Sequence, residues 1–430
     1  MFSRASDVRA ELIPGPIRGE LLGADQLAER ARAVARGERM RAGRAIWKSA
    51  PLLARLNETR RILDVAHRRL TEASERESDV GPAGEWFLVN YFVIQEHIRE
   101  VRASLPSGYY RELPELAAGP LAGYPRLYEL TITLISHTEG RIDVDNLDVV
   151  VGAFQDVAPL RIGELWAIPA MLRLGLIENV RRMTLRTVQR LDEVERADRM
   201  SMQLLDAAEA GSDELRHALR SLVDRGVPLS AIFIARFLQR LRTARGSFAP
   251  LGWLEQWIAE EGMTGEEAAS QSTQRLAITQ VAMANSITSL RTIARLDWRK
   301  FVEHHSLMDA VLRRDPTGEY ARMTFATRDE YRHVVERIAT RTGMDEAVVA
   351  GEALELARRG SPPDGRPHDP VRSHVGYYLL DDGLDELEQV LSYRPRLREG
   401  MHRWVLGHPN LVYFGSVIGV TIPAIAALFW

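Results

Sequence analysis

Leucines stand at Leu56, Leu63 and Leu70, seven residues apart, inside a stretch from 52 to 76 that also carries Arg60, Arg61, Arg68, Arg69 and Glu72. Apolar residues at that spacing line one side of an α-helix and leave the charges to the others. The pattern returns at 85–105, where Trp86, Val89, Val93 and Val101 are set against Gln95, Glu96, Arg99 and Glu100. It predicts further helices at 127–137, 147–157, from about 161 past 190, and at 215–225, 229–242, 254–260 and 266–293. The stretches 298–314, 327–342 and 345–359 complete the set. Strand-type alternation is confined to a short possibility at 374–380. A chain patterned this way is predicted to be all-α.

The breaks between periodic stretches are chemically marked. Pro106-Ser107-Gly108 should end the second helix, since proline disfavours a helical residue before it and glycine frees the turn. The stretch 109–125 holds Pro114, Gly119, Pro120, Gly123 and Pro125 and reads as a loop. Asp145 or Asn146 can cap the helix that follows. Pro169 should start or kink a helix. The run GSPPDGRPHDP from Gly360 is the best linker. After Arg403 no charged side chain follows to Trp430, and the apolar segment 411–430 is long enough to span a bilayer at about 1.5 Å per residue. Tyr413 and Trp430 sit near its ends, where aromatics favour the interface. The expected organisation is a helical or flexible segment at 1–50, an α-helical head at 51–360, and a linker at 361–371. A juxtamembrane segment at 372–408 and a transmembrane helix at 409–430 follow. Arg394, Arg396, Arg398 and Arg403, opposed by Glu399, predict that the head stays in the cytoplasm.

Composition removes several classes of chemistry. The sequence has no cysteine, so it has neither thiolate metal ligands nor a cysteine nucleophile. Its 56 basic and 59 acidic residues give a net charge of −3, which supplies no general attraction to nucleic acid. Lys48 and Lys300 are its two lysines, and neither lies in a Gly-rich phosphate loop. Asp143-Val144-Asp145 has the spacing of a metal-holding carboxylate pair, but it precedes an apolar helix, where acidic residues favour the helix dipole. His304 and His305 are adjacent and diverge by about 100° on a helix, so they do not chelate together. Arg403-Trp404 has the last two letters of a Q-x-x-R-W motif, but Gly400 stands first, and the pair reads as a membrane-surface anchor. Among the aromatics, Trp86, Tyr91, Phe92 and Trp166 read as core. Tyr109 and Tyr110, in the Pro/Gly-flanked stretch, join Arg111 as the candidate contact for a sugar or a partner surface.

Longer ordered blocks carry a family resemblance. Residues 85–92 (EWFLVNYF), 96–102 (EHIREVR), 105–114 (LPSGYYRELP), 137–141 (HTEGR) and 163–178 (GELWAIPAMLRLGLIE) resemble the N-terminal region of cyclic β-1,2-glucan synthases. The blocks 286–291 (SITSLR), 296–299 (LDWR), 315–318 (DPTG), 325–329 (FATRD) and 374–379 (HVGYYL) are similar to it as well. The resemblance implies a large bacterial inner-membrane enzyme that polymerises glucose from UDP-glucose, with a divalent metal, and closes the chains into rings. It implies that the transferase and further membrane domains lie downstream and are this region's partners, with β-glucan a further candidate. On this reading the chain is the non-catalytic scaffolding or regulatory head. It holds no cofactor, and the family's catalytic residues have no matching positions here. A membrane-tethered helical adaptor or sensor with no carbohydrate role is the alternative.

Overall fold

A computed structural model describes residues 16–40, 50–224, 228–244, 248–360 and 371–394, together with 408, 413–415, 417, 421 and 422. All regular structure among them is helical, apart from two isolated bridges, Met40 with Leu116 and Glu115 with Pro125. The described residues fall into two compact units, divided between His305 and Ser306. That division lies inside the stretch expected to be a single head.

The first unit contains α1 (Ala24–Gly37), α2 (Pro51–Glu75), α3 (Gly81–Val89), α4 (Tyr91–Ser104), α5 (Ser107–Tyr110), α6 (Arg126–His137) and α7 (Val144–Gln155). They are followed by α8 (Ile162–Ala210), α9 (Ser212–Asp224), α10 (Ala231–Arg242), α11 (Leu251–Glu260), α12 (Gly265–Arg295) and α13 (Trp298–His305). The spine is α8, whose 49 residues extend about 70 Å at 1.5 Å each. From Ala167 to Val180 every residue of α8 is buried, so this segment is apolar nearly all round because it is covered all round. Helices α2, α4, α6 and α12 pack along it. At Gly175 an added Cβ would come within 2.5 Å of Ile135 Cδ1, so α6 approaches α8 closely there and a larger residue would make that isoleucine shift. Farther along, Ala197 and Leu204 join Leu222, Phe233, Phe237, Leu254 and Ile258 in a second core under α9, α10 and α11. Pro169 lies inside α8 rather than at its start.

The second unit contains α14 (Leu307–Leu312), α15 (Glu319–Arg322), α16 (Phe325–Thr342), α17 (Glu346–Gly360), α18 (Val375–Leu380) and α19 (Leu384–Val390). Helix α17 packs on α14, α16, α18 and α19.

Several expectations need correction. The helix expected at 85–105 is interrupted at Asn90, whose backbone leaves the helical region (φ −107°, ψ 11°) and whose Nδ2 donates to Trp86 O at 2.7 Å. The helix expected at 298–314 is interrupted by Ser306, whose Oγ accepts from Asp309 N at 3.2 Å and starts α14. The strand possibility at 374–380 is the helix α18, begun where His374 Nδ1 accepts from Gly376 N at 2.8 Å. Residues 375–390, part of the expected juxtamembrane segment, pack on α17, which leaves that expectation as it stood. The linker residues 361–370, and most of the segment expected to span a membrane at 409–430, lie outside the described residues. Among the described residues no helix is long and apolar enough to cross a membrane.

Candidate functional site

Tyr109, Tyr110 and Arg111 are not three residues of a loop. The two tyrosines close the short helix α5, and Arg111 caps it. Consecutive helical residues point about 100° apart, so the tyrosines cannot share a face. Tyr110 is fully buried, and burial pushes its hydroxyl well above the ordinary range. Its ring is therefore core and cannot stack on a sugar. Tyr109 is half-buried, with its hydroxyl donating to Gly163 O at the start of α8. Arg111 is exposed. What reaches the surface is one tyrosine edge and one guanidinium.

The other motifs resolve into local structure. Asp143, rather than Asp145 or Asn146, caps α7: its Oδ1 accepts from Asn146 N at 2.9 Å, and Asn146 Oδ1 accepts from Asp143 N at 3.3 Å. That reciprocal pair occupies the first carboxylate of the D-x-D spacing. His305 is buried with Nε2 2.8 Å from Asp148 Oδ1, and burial lowers its pKa despite that carboxylate. Of the aromatic group, Tyr91 donates to Asp64 and stacks on His67, with ring centroids 4.0 Å apart. Trp86 and Phe92, read as core, are exposed instead. Arg403 and Trp404 lie outside the described residues.

The groups that sequence reasoning missed are buried carboxylates held by arginines. Glu178 Oε1 meets Arg55 Nη2 at 2.7 Å, Arg181 Nη2 at 2.8 Å and Arg182 Nε at 2.9 Å. Burial works to raise its pKa, but the hydrogen bonds and charges of Arg181, Arg182 and Arg55 outweigh burial and hold it at about 2. One glutamate thus ties α2 to α8. At the start of α6, Arg126 grips Glu164 through Nε and Nη2 at 2.7 and 2.8 Å, and Nη2 also donates to Pro159 O at 2.7 Å. Glu38, just after α1, reaches the same guanidinium at 3.3 Å. The charge and hydrogen bond of Arg126 favour the ionised form of Glu38, but burial outweighs them. Burial pushes Glu38 up to about 7, and its Oε1 is buried without a hydrogen-bond partner.

Between α4 and α8, Arg173 Nε donates to His97 Nδ1 at 3.1 Å, and its Nη2 meets Glu100 Oε2 at 2.7 Å. Burial, then the charge of Arg173, push His97 down to about 4, so its ring is neutral at pH 7. In the second unit Asp309 is 0% exposed and Arg332 only 1%. Asp309 Oδ1 accepts from Arg332 Nη2 and from Tyr320 Oη, both at 2.7 Å, and Oδ2 accepts from Arg313 Nε at 2.6 Å. Burial opposes ionisation of Asp309, but these donors keep its pKa below the usual range. A charged residue inside an otherwise apolar run, such as Arg173 or Glu178 in 167–180, was the available signal.

No group of three or more potential ligands suited to a metal ion occurs among the described residues. A depression of about 180 Å³ lined by Ile17, Arg18, Glu139, Ile278 and Val281 is smaller and shallower than most small-molecule sites. The class defined by these features is an all-helical chain whose buried charges fasten helix to helix. No family model matches it. Over 379 residues, 87% of its length, the chain is 30% identical to the cyclic β-(1,2)-glucan synthase NdvB of Rhizobium meliloti (strain 1021). The family resemblance carried by the residue blocks is thereby shown. The chain spans 13% of that protein's length.

Proposed function

We propose that this chain is a helical scaffolding or regulatory region, without catalytic residues of its own, of a membrane cyclic β-1,2-glucan synthase. The supporting observation is the disproportion of the match: nearly the whole chain aligns, yet it accounts for a small part of the relative. The side chains support the same reading, because the buried carboxylates Glu164, Glu178 and Asp309 are committed to arginines and Asp143 to a helix cap. UDP-glucose and a divalent metal would then belong to transferase domains elsewhere in the synthase, and those domains are this region's partners. The segment 409–430 is the membrane anchor in this reading. The helical units face the cytoplasm at the bacterial inner membrane, on the side where UDP-glucose is made. Tyr109 and Arg111 are the part of the aromatic candidate that can still meet β-glucan or a partner domain.

Two measurements test this. The purified chain, incubated with UDP-glucose, a divalent metal and an acceptor, should release no UDP above a blank. Turnover that survives further purification overturns the non-catalytic reading. Alkaline phosphatase fused at Ser373 should be inactive, and fused after Trp430 active. Activity at Ser373 would show an exported head and favour the adaptor or sensor reading.

A further inference from the structure

Helix α11 buries Leu254 and Ile258 in the second core of the first unit. Trp257 is partly buried against that core, whereas Trp253, one turn earlier, is 49% exposed. The two rings lie parallel within 9°, with centroids 6.4 Å apart. Neither indole N–H has an acceptor among the described residues, and that of Trp257 is not buried. Trp253, Gln256, Trp257 and Glu260 stand at i, i+3, i+4 and i+7 and so share one side of the helix. Gln256 Nε2 donates to Glu260 Oε1 at 3.0 Å, which leaves the amide oxygen and the second carboxylate oxygen as acceptors beside the rings. Arg242 is held by Glu255 at 2.6 Å, while Glu260 and Glu261 have no cation within ion-pair distance among the described residues.

A ligand that covers these rings must join an apolar face to hydrogen-bonding groups. The indoles offer flat surface and two N–H donors, and Gln256 and Glu260 offer acceptors. The unmatched carboxylates repel a phosphate or carboxylate ligand. Two parallel planes do not wall in an organic cation from several sides as an aromatic cage does. A pyranose carries C–H groups on its faces and hydroxyls around its edge, so it satisfies both the rings and the polar groups. We infer that Trp253 and Trp257, with Gln256 and Glu260, form a platform for a neutral oligosaccharide long enough to cover both indoles. The platform rests on α11 alone. The choice of glucose as the sugar unit rests on the proposed place of this chain in a glucan synthase.

Calorimetric titration of the full 430-residue chain with a linear β-1,2-linked glucose hexasaccharide reads the site. A β-1,4-linked mannose hexasaccharide is the second neutral chain, and tetramethylammonium is the cation probe. Hexasaccharide binding should weaken about tenfold or more in Trp253→Ala and by a smaller factor in Gln256→Ala. The thermal midpoint of Trp253→Ala should stay close to that of wild type, because half of that ring is already in water, and Trp253→Phe should recover most of the binding. Binding of neither hexasaccharide, or binding that Trp253→Ala leaves unchanged, overturns the platform. So does binding of tetramethylammonium alone. A sedimentation coefficient that falls in Trp253→Ala gives the face to a second copy and overturns it as well. Mannose-chain binding lost in Trp253→Ala, without glucose-chain binding, keeps the platform and counts against the glucan reading.

Discussion

Both units fasten their helices with a buried carboxylate ringed by arginines, but they finish the arrangement differently. In the second unit Asp309 is saturated: Arg332, Tyr320 and Arg313 together use both oxygens, and neither Asp309 nor Arg332 touches solvent. In the first unit the same chemistry is spread over two sites of unequal completeness. Glu178 has three arginines, whereas Glu38 shares a guanidinium that Glu164 already holds. A buried carboxylate therefore stabilises or strains the fold according to how many donors remain for it.

The largest expected effect breaks the sealed site. Asp309→Ala removes the buried carboxylate that Arg332, Arg313 and Tyr320 share and should cost the second unit about 3–5 kcal/mol. Replacing Asp309 and Arg332 together by apolar residues should cost far less, because the buried cation leaves together with its main counter-charge. Urea unfolding read by hydrogen exchange in α16 checks both. Equal losses in the single and double variants would show that packing, not charge pairing, holds that unit.

The contrast within the first unit is sharpened by pH. Glu178, held at about 2 when folded against an ordinary value of 4.5, binds fewer protons in the native state. Its contribution is present above pH 4.5 and is lost as pH falls through 2. Glu38, raised to about 7, has the opposite sign: its contribution is present below pH 4.5 and is lost as pH rises through 7. Glu178→Gln should therefore flatten the acid limb and weaken the unit by about 2 kcal/mol at neutral pH. Glu38→Gln should remove the slope between pH 4.5 and 7 and leave stability at or above wild type beyond it. The urea midpoint of each variant against pH is the measurement, and same-signed slopes would erase the distinction.

The smallest expected effect is at Tyr109, and Tyr110 beside it supplies the contrast. Tyr109→Phe removes the bond to Gly163 O and should cost about 1 kcal/mol. Tyr110→Ala empties a fully buried site and should cost about 3–5 kcal/mol. A thermal scan in which the two are equal would contradict the inward placement of Tyr110 and the partly outward placement of Tyr109.

How much of this was legible follows the range of each interaction. The seven-residue spacing of Leu56, Leu63 and Leu70 predicts α2 within a residue of its ends, because apolar periodicity is read within one element. The capping of α7 by Asp143 was nearly legible, since the partners are 3 residues apart. The charged fasteners were not. Arg55 lies 123 residues from Glu178, and Arg126 lies 88 from Glu38, so no local window contains both members.

Helical class, the approximate element boundaries and the lack of cysteine chemistry were thus decided by the sequence itself, through short-range sterics and side-chain periodicity. The sealing of Asp309, the raised carboxyl of Glu38 and the inward turn of Tyr110 were decided by tertiary packing. Each depends on which distant helix arrives to cover a side chain. A residue's charge and polarity are written in its type, but its desolvation and its partners exist only after the helices have met.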